Sequence, residues 1–124
     1  MVPAFLLPDN TLREGGQGPE FALGASARKS LRFTLGINRI LEEENLEVSI
    51  WGAAEDQPWT PIAAFPPKSY CGTYYLTVDL ARHPDVTRIR AQWKMSRWDE
   101  RRQPPLFGFF LSVEEYRLSI AGAA

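Results

Sequence analysis

Leu31-Arg32-Phe33-Thr34-Leu35-Gly36-Ile37-Asn38 carries an apolar side chain at every second position. A β-strand turns successive side chains to opposite faces, so Leu31, Phe33, Leu35 and Ile37 share one side and the segment reads as a half-buried strand. The same period returns along the chain. Leu46, Val48 and Ile50 alternate with Glu47, Ser49 and Trp51, and Tyr74, Leu76, Val78 and Leu80 with Thr73, Tyr75, Thr77 and Asp79. Ile89, Ala91, Trp93 and Met95 alternate with Arg88, Arg90, Gln92 and Lys94, and Phe107, Phe109, Leu111 and Val113 oppose Gly108, Ser112 and Glu114. Tyr116 to Ile120 repeats the pattern, and weaker runs surround Phe21 and Ile62.

These runs predict about seven to nine strands, each with one polar face. Strands of that kind belong in antiparallel sheets packed face to face. The expected fold is an all-β antiparallel β-sandwich, and its topology, jelly-roll or immunoglobulin-like, stays open at this point. Asn38 to Asn45 is the single rival helix, and Pro66-Pro67, His83-Pro84-Asp85 and the segment from Trp98 to Pro105 read as breaks. Gly15-Gly16-Gln17-Gly18-Pro19 makes residues 1–20 look like an extended arm, with the β-sandwich domain over 21–124.

The chain has 124 residues, a size that supports one core without disulfides or metal. Cys71 is the lone cysteine, which excludes an internal disulfide and a cysteine-rich zinc site. The first residues, Met1 to Asp9, are a poor signal peptide, and no apolar run nears the length of about 20 needed to span a bilayer. The expected location is cytoplasmic, with peripheral attachment to a membrane complex through a protein left open. Residues 31–60 hold two arginines against six acids, net −4, while residues 61–105 hold eight basic residues against four acids, net +4. Neighbouring strands that pair these charges explain the imbalance simply. A molecule with two oppositely charged faces is the sharper alternative.

The segments Leu46-Glu47-Val48-Ser49-Ile50-Trp51-Gly52, Tyr70-Cys71-Gly72-Thr73-Tyr74, Arg90 to Trp98 and Pro105-Leu106-Phe107-Gly108-Phe109 resemble a family of uncharacterised bacterial proteins of similar length. The resemblance spans roughly residues 30–115 and implies a compact β-sandwich without a known activity. A looser likeness is to discoidin-like and virion-decoration sandwiches, where a strand ends in a small polar loop closed by tryptophan, as in Trp51 to Trp59.

No catalytic constellation stands out, and the expectation is a protein that is not an enzyme. His83 is the only histidine, and a nucleophilic site would need the fold to bring it to Cys71 or a serine. Asp79 and Asp85 beside it add no second nitrogen or sulfur ligand, so no transition metal is expected. Calcium needs only oxygen ligands, which leaves Glu55 and Asp56 as candidates, with nothing at EF-hand spacing in support. The acids Glu42, Glu43, Glu44 and Glu47 read as a solvated loop rather than an opposed catalytic pair. No cofactor motif appears.

The best binding candidate is the basic and aromatic run Arg88, Arg90, Lys94, Arg97, Trp98, Arg101 and Arg102. Arginine and tryptophan dominate interface hot spots. Asp99 and Glu100 interrupt the run and the net charge is −1, which favours a protein partner over nucleic acid. The aromatic residues Trp51, Trp59, Tyr70, Tyr75 and Trp98 supply the alternative, a carbohydrate-binding module that stacks sugars. The leading expectation is a structural or interaction subunit, an accessory component of a larger multiprotein assembly.

Overall fold

The computed structural model describes residues 3–12, 15–40, 44–97 and 107–116. The expected strands form where the alternation places them: β4 (Ser30–Ile40), β5 (Glu44–Ala53), β7 (Gly72–Asp79), β8 (Arg88–Arg97) and β9 (Phe107–Glu115). The weak runs are also strands, β3 (Phe21–Ala22) and β6 (Thr60–Ala64). Two more, β1 (Ala4–Leu12) and β2 (Gly16–Gln17), lie where the sequence suggests an arm. The helix alternative at Asn38 fails because β4 runs through Ile40 and β5 begins at Glu44.

The first sheet has the order β1-β9-β4-β7, and the second β2-β8-β5-β6 with β3 also on β8. Every pairing is antiparallel. Only β5 and β6 form a hairpin within one sheet. At the other connections, apart from β2 to β3, the chain crosses to the opposite sheet. Taking β2 and β3 as one interrupted strand along β8 gives eight strand positions and the crossing pattern of a jelly roll. The immunoglobulin-like alternative is thereby closed.

The inward faces meet in one core. Phe33, Leu35, Leu46, Ile89, Phe107, Phe109 and Leu111 have no exposed surface, and Leu31, Val48, Ile50 and Val78 are buried with them. Leu76 and Trp93, expected in the core, are only partly buried. Leu76 lies on β7, an outermost strand, and Trp93 sits beneath the glycine segment at the rim.

Within the arm expected over residues 1–20, Ala4–Leu12 joins the first sheet and Gly16–Gln17 the second. β1 pairs along β9 from Ala4↔Val113 to Leu12↔Phe107, and it buries Leu6 and Leu7. The glycines serve close packing rather than mobility. A Cβ on Gly16 would lie 3.1 Å from the Trp93 ring, and one on Gly15 would lie 2.8 Å from the Trp93 carbonyl oxygen. β1 escapes the period-two signal because Pro8 and two register shifts interrupt it.

Strand register sets some opposite charges side by side. Glu47 stands opposite Lys94 in the register of β5 and β8, and Arg32 opposite Glu114 in that of β4 and β9. The Arg32 Nε donates to Glu114 Oε1 at 3.0 Å. That hydrogen bond holds the guanidinium pKa above its ordinary value. Of these two pairs, only Arg32 and Glu114 form an ion pair among the described residues.

Candidate functional site

The outer face of the second sheet gathers most of the described candidates. β8 turns Arg88, Arg90, Gln92 and Lys94 to this face, and β5 sets Ala53, Trp51, Ser49 and Glu47 opposite them in that order. The β5–β6 loop folds Trp59 over the basic end. The guanidinium of Arg90 lies 4.2 Å from the Trp59 ring centre and that of Arg88 lies 5.0 Å away. Arg88 Nη1 also donates to Glu20 Oε1 at 2.8 Å, and its Nη2 reaches the Gln57 carbonyl at 3.3 Å. Arg88 and Arg90 are therefore half-buried parts of the sandwich and differ from free hot spots. Their Nε atoms are buried without a hydrogen-bond partner.

Loss of the indole should loosen this end of the sheet. A cation–π contact is worth about 0.5–2 kcal/mol depending on desolvation. Trp59→Ala is expected to lower stability by about 1 kcal/mol in a urea titration. Trp59→Phe, which keeps an aromatic face, should recover part of it. Equal midpoints for wild type and Trp59→Ala would show that the stacking contributes nothing.

Lys94 is exposed beside a shallow trough of about 350 Å³ lined by Glu47, Ser49, Trp51, Ala64, Phe65 and Gln92 among others. Of the remaining expected partner residues, Arg97 ends β8 opposite Glu44. Trp98, Arg101 and Arg102 lie outside the described residues, as does the acidic pair Glu42-Glu43. β8 and β9, which flank Trp98, Arg101 and Arg102, belong to different sheets.

The other outer face holds aromatics. Phe5 is 59% exposed and meets Phe110 edge-on at 5.8 Å, and Tyr75 is 60% exposed with Arg32 5.1 Å from its ring centre. Phe110 in turn covers Gly36, its partner across β9 and β4.

Geometry separates the one cysteine from the one histidine. Cys71 precedes β7 and His83 follows a short 3-10 turn, Leu80–Arg82, beyond its far end. At about 3.3 Å per residue, β7 holds them roughly 25 Å apart, so they do not form a dyad. Among the described residues, no three His, Cys, Asp or Glu side chains gather as a metal site requires. Among the same residues, no helix is long and apolar enough to cross a membrane.

Topology and strand pairing define the chain as a jelly-roll β-sandwich. Among the solved structures it resembles are chains of infectious bursal disease virus. The structure of the Gx strain superposes with a TM-score of 0.54 and 13% identity, covering 89% of this chain and 31% of that one. The T13 viral particle gives a TM-score of 0.54 and 15% identity over 88% of this chain and 29% of that one. The VP2 subviral particle gives 0.53 and 12% over 90% and 31%. The chain spans about a third of the length of those viral chains, and at such identities the likeness is one of fold. No family model and no curated protein matches the chain, so the bacterial resemblance gains no support there.

Proposed function

We propose that the protein is a non-enzymatic structural subunit that assembles with other protein chains, copies of itself among them. The observation that carries this reading is the side of β7 that no strand covers among the described residues. β7 ends the first sheet, and its register with β4 runs unbroken from Ser30↔Asp79 to Ile37↔Gly72. From Gly72 to Val78 it holds no charge and no proline. Seven uncharged residues in a row along an eight-residue edge strand are a ready template for another strand. The other edges are guarded: β1 by Pro8 and its register shifts, β6 by Pro61 and a bulge, β2 and β3 by their shortness.

Two copies of β7 pair without conflict when they run antiparallel, because a two-fold axis at Tyr75 sets Thr73 against Thr77 and brings no like charges together. The fold likeness to chains of viral particles supports the same role, as does the exposed Tyr75 beside the edge. In this reading the basic run ending in Arg97, Trp98, Arg101 and Arg102 contacts a protein partner in the same assembly. The protein then serves as an accessory component of a larger complex.

Light scattering on the purified chain should give a mass above that of one copy, rising with concentration. Thr73→Lys places a charge on an exposed edge position opposite Gly36 of β4, and should return the chain to monomer while its circular dichroism spectrum keeps the strand signal. A wild-type chain that stays monomeric at every concentration would remove the β7 reading.

A second reading, a carbohydrate-binding module, is favoured by one observation: the trough beside Trp51 on the outer face of β5 and β8.

A further inference from the structure

We infer that this trough binds an uncharged pyranose ring, an inference that rests on the carbohydrate-binding reading and names its ligand class. Three features of the same few residues carry it.

The first is a fixed aromatic platform. Trp51 Nε1 donates to Ser49 Oγ at 2.9 Å, two residues back along β5 on the same face. That bond draws the indole along the strand and satisfies its only donor. What remains for a ligand is the ring face, and the C–H face of a sugar is the natural complement of an aromatic surface.

The second is a set of polar groups with nothing to do. The Glu47 carboxylate, the Gln92 amide and the Lys94 ammonium all line the trough. None of the three side chains takes part in a hydrogen bond or ion pair within the described residues. They offer an acceptor, a mixed donor and acceptor, and a donor around one aromatic ring, which is what adjacent sugar hydroxyls require. A volume of about 350 Å³ falls near the small end of the range of about 300–1,000 Å³ for small-molecule sites.

The third is charge. Glu47 and Lys94 are cross-strand partners, so one negative and one positive group face the ligand side by side. The next cation along β8, Arg90, is occupied by Trp59. Among the described residues no excess positive charge is left to hold a carboxylate or sulfate, and the trough suits a neutral ring.

Calorimetry with gluco-, manno- and galacto-oligosaccharides, alongside an oligogalacturonate of matching length, tests this. At least one neutral series should bind. Trp51→Ala should weaken it by at least about tenfold, the loss of one stacked ring and its buried area. Glu47→Gln and Lys94→Ala alter exposed side chains, so the thermal midpoint should hold while affinity falls several-fold. These two keep the test decisive if Trp51→Ala folds poorly. Binding of oligogalacturonate alone would overturn the neutral-ring inference and leave the carbohydrate reading standing. No binding by any of the four would overturn both. Neutral binding that ignores Glu47 and Lys94 would place the sugar elsewhere and overturn the inference.

Discussion

Phe109→Ala is expected to lower the stability of the protein by about 3–5 kcal/mol, the cost of emptying a fully enclosed aromatic site. Phe109 has no exposed surface and sits on β9, flanked by Asn10 of β1 and Ile37 of β4. Its ring meets Trp93 of the opposite sheet edge-on, with centroids 5.9 Å apart and planes at 74°. The side chain thus ties the two sheets together as well as filling the first. Small domains are stable by only about 5–15 kcal/mol, so the variant should retain little margin. Urea unfolding followed by fluorescence measures the effect, with an unchanged denaturant slope as the sign that the unfolded state is not altered. A loss below about 1 kcal/mol would mean that the side chain does not fill the core. Trp93→Ala should cost less, because Trp93 is only partly buried.

The strands legible in the sequence share one property, an uninterrupted period of two. β4, β5, β7, β8 and β9 each show it, because one face of each packs on the core while the other meets water. β1 contributes Leu6 and Leu7 to the core, yet Pro8, Asp9 and Asn10 follow at once and the register shifts there. A bulge moves later side chains to the wrong parity, and the pattern dissolves. Gly15, Gly16 and Gly18 mislead for a different reason. Glycine marks a mobile linker and a close backbone contact equally well, and only the Trp93 ring beneath them decides the matter. The order of strands in each sheet was not legible at all, since every pairing except β5–β6 joins distant segments.

The candidate site was half legible for a related reason. Parity along β8 correctly sets Arg88, Arg90 and Lys94 on one outward face. It carries no information about Trp59, which arrives from a loop and occupies two of the three cations. The trough needs register. Glu47, Ser49 and Trp51 are outward by parity alone, but that Lys94 stands opposite Glu47 and Gln92 opposite Ser49 emerges only when β5 and β8 are paired. An outward tryptophan two residues beyond an outward serine is the one local signal that marks the platform.

Gly52 supplies a test in which two physical rules predict opposite signs. It occupies a core-facing position in β5, paired with Ile89 on one side and Thr60 on the other. In an ordinary strand, glycine is weak and a β-branched residue is favoured, so Gly52→Val should stabilise. Packing says the reverse. A Cβ at this position would come 2.3 Å from Ile62 Cδ1 and 2.9 Å from Val86 Cγ1, both inside van der Waals contact. Valine adds two further methyl groups to that crowding. Overpacking of this kind typically costs about 1–3 kcal/mol, and Gly52→Val should fall near the top of that range. The cause can be isolated by relieving it. Ile62→Ala removes the nearest atoms, so in the Gly52→Val background it should return at least about 1 kcal/mol, whereas alone it should destabilise. Equilibrium unfolding of the four proteins in that cycle measures the coupling. Stabilisation by the single Gly52→Val change would hand the position to strand propensity. Strictly additive losses would show that Ile62 is not the side chain in the way.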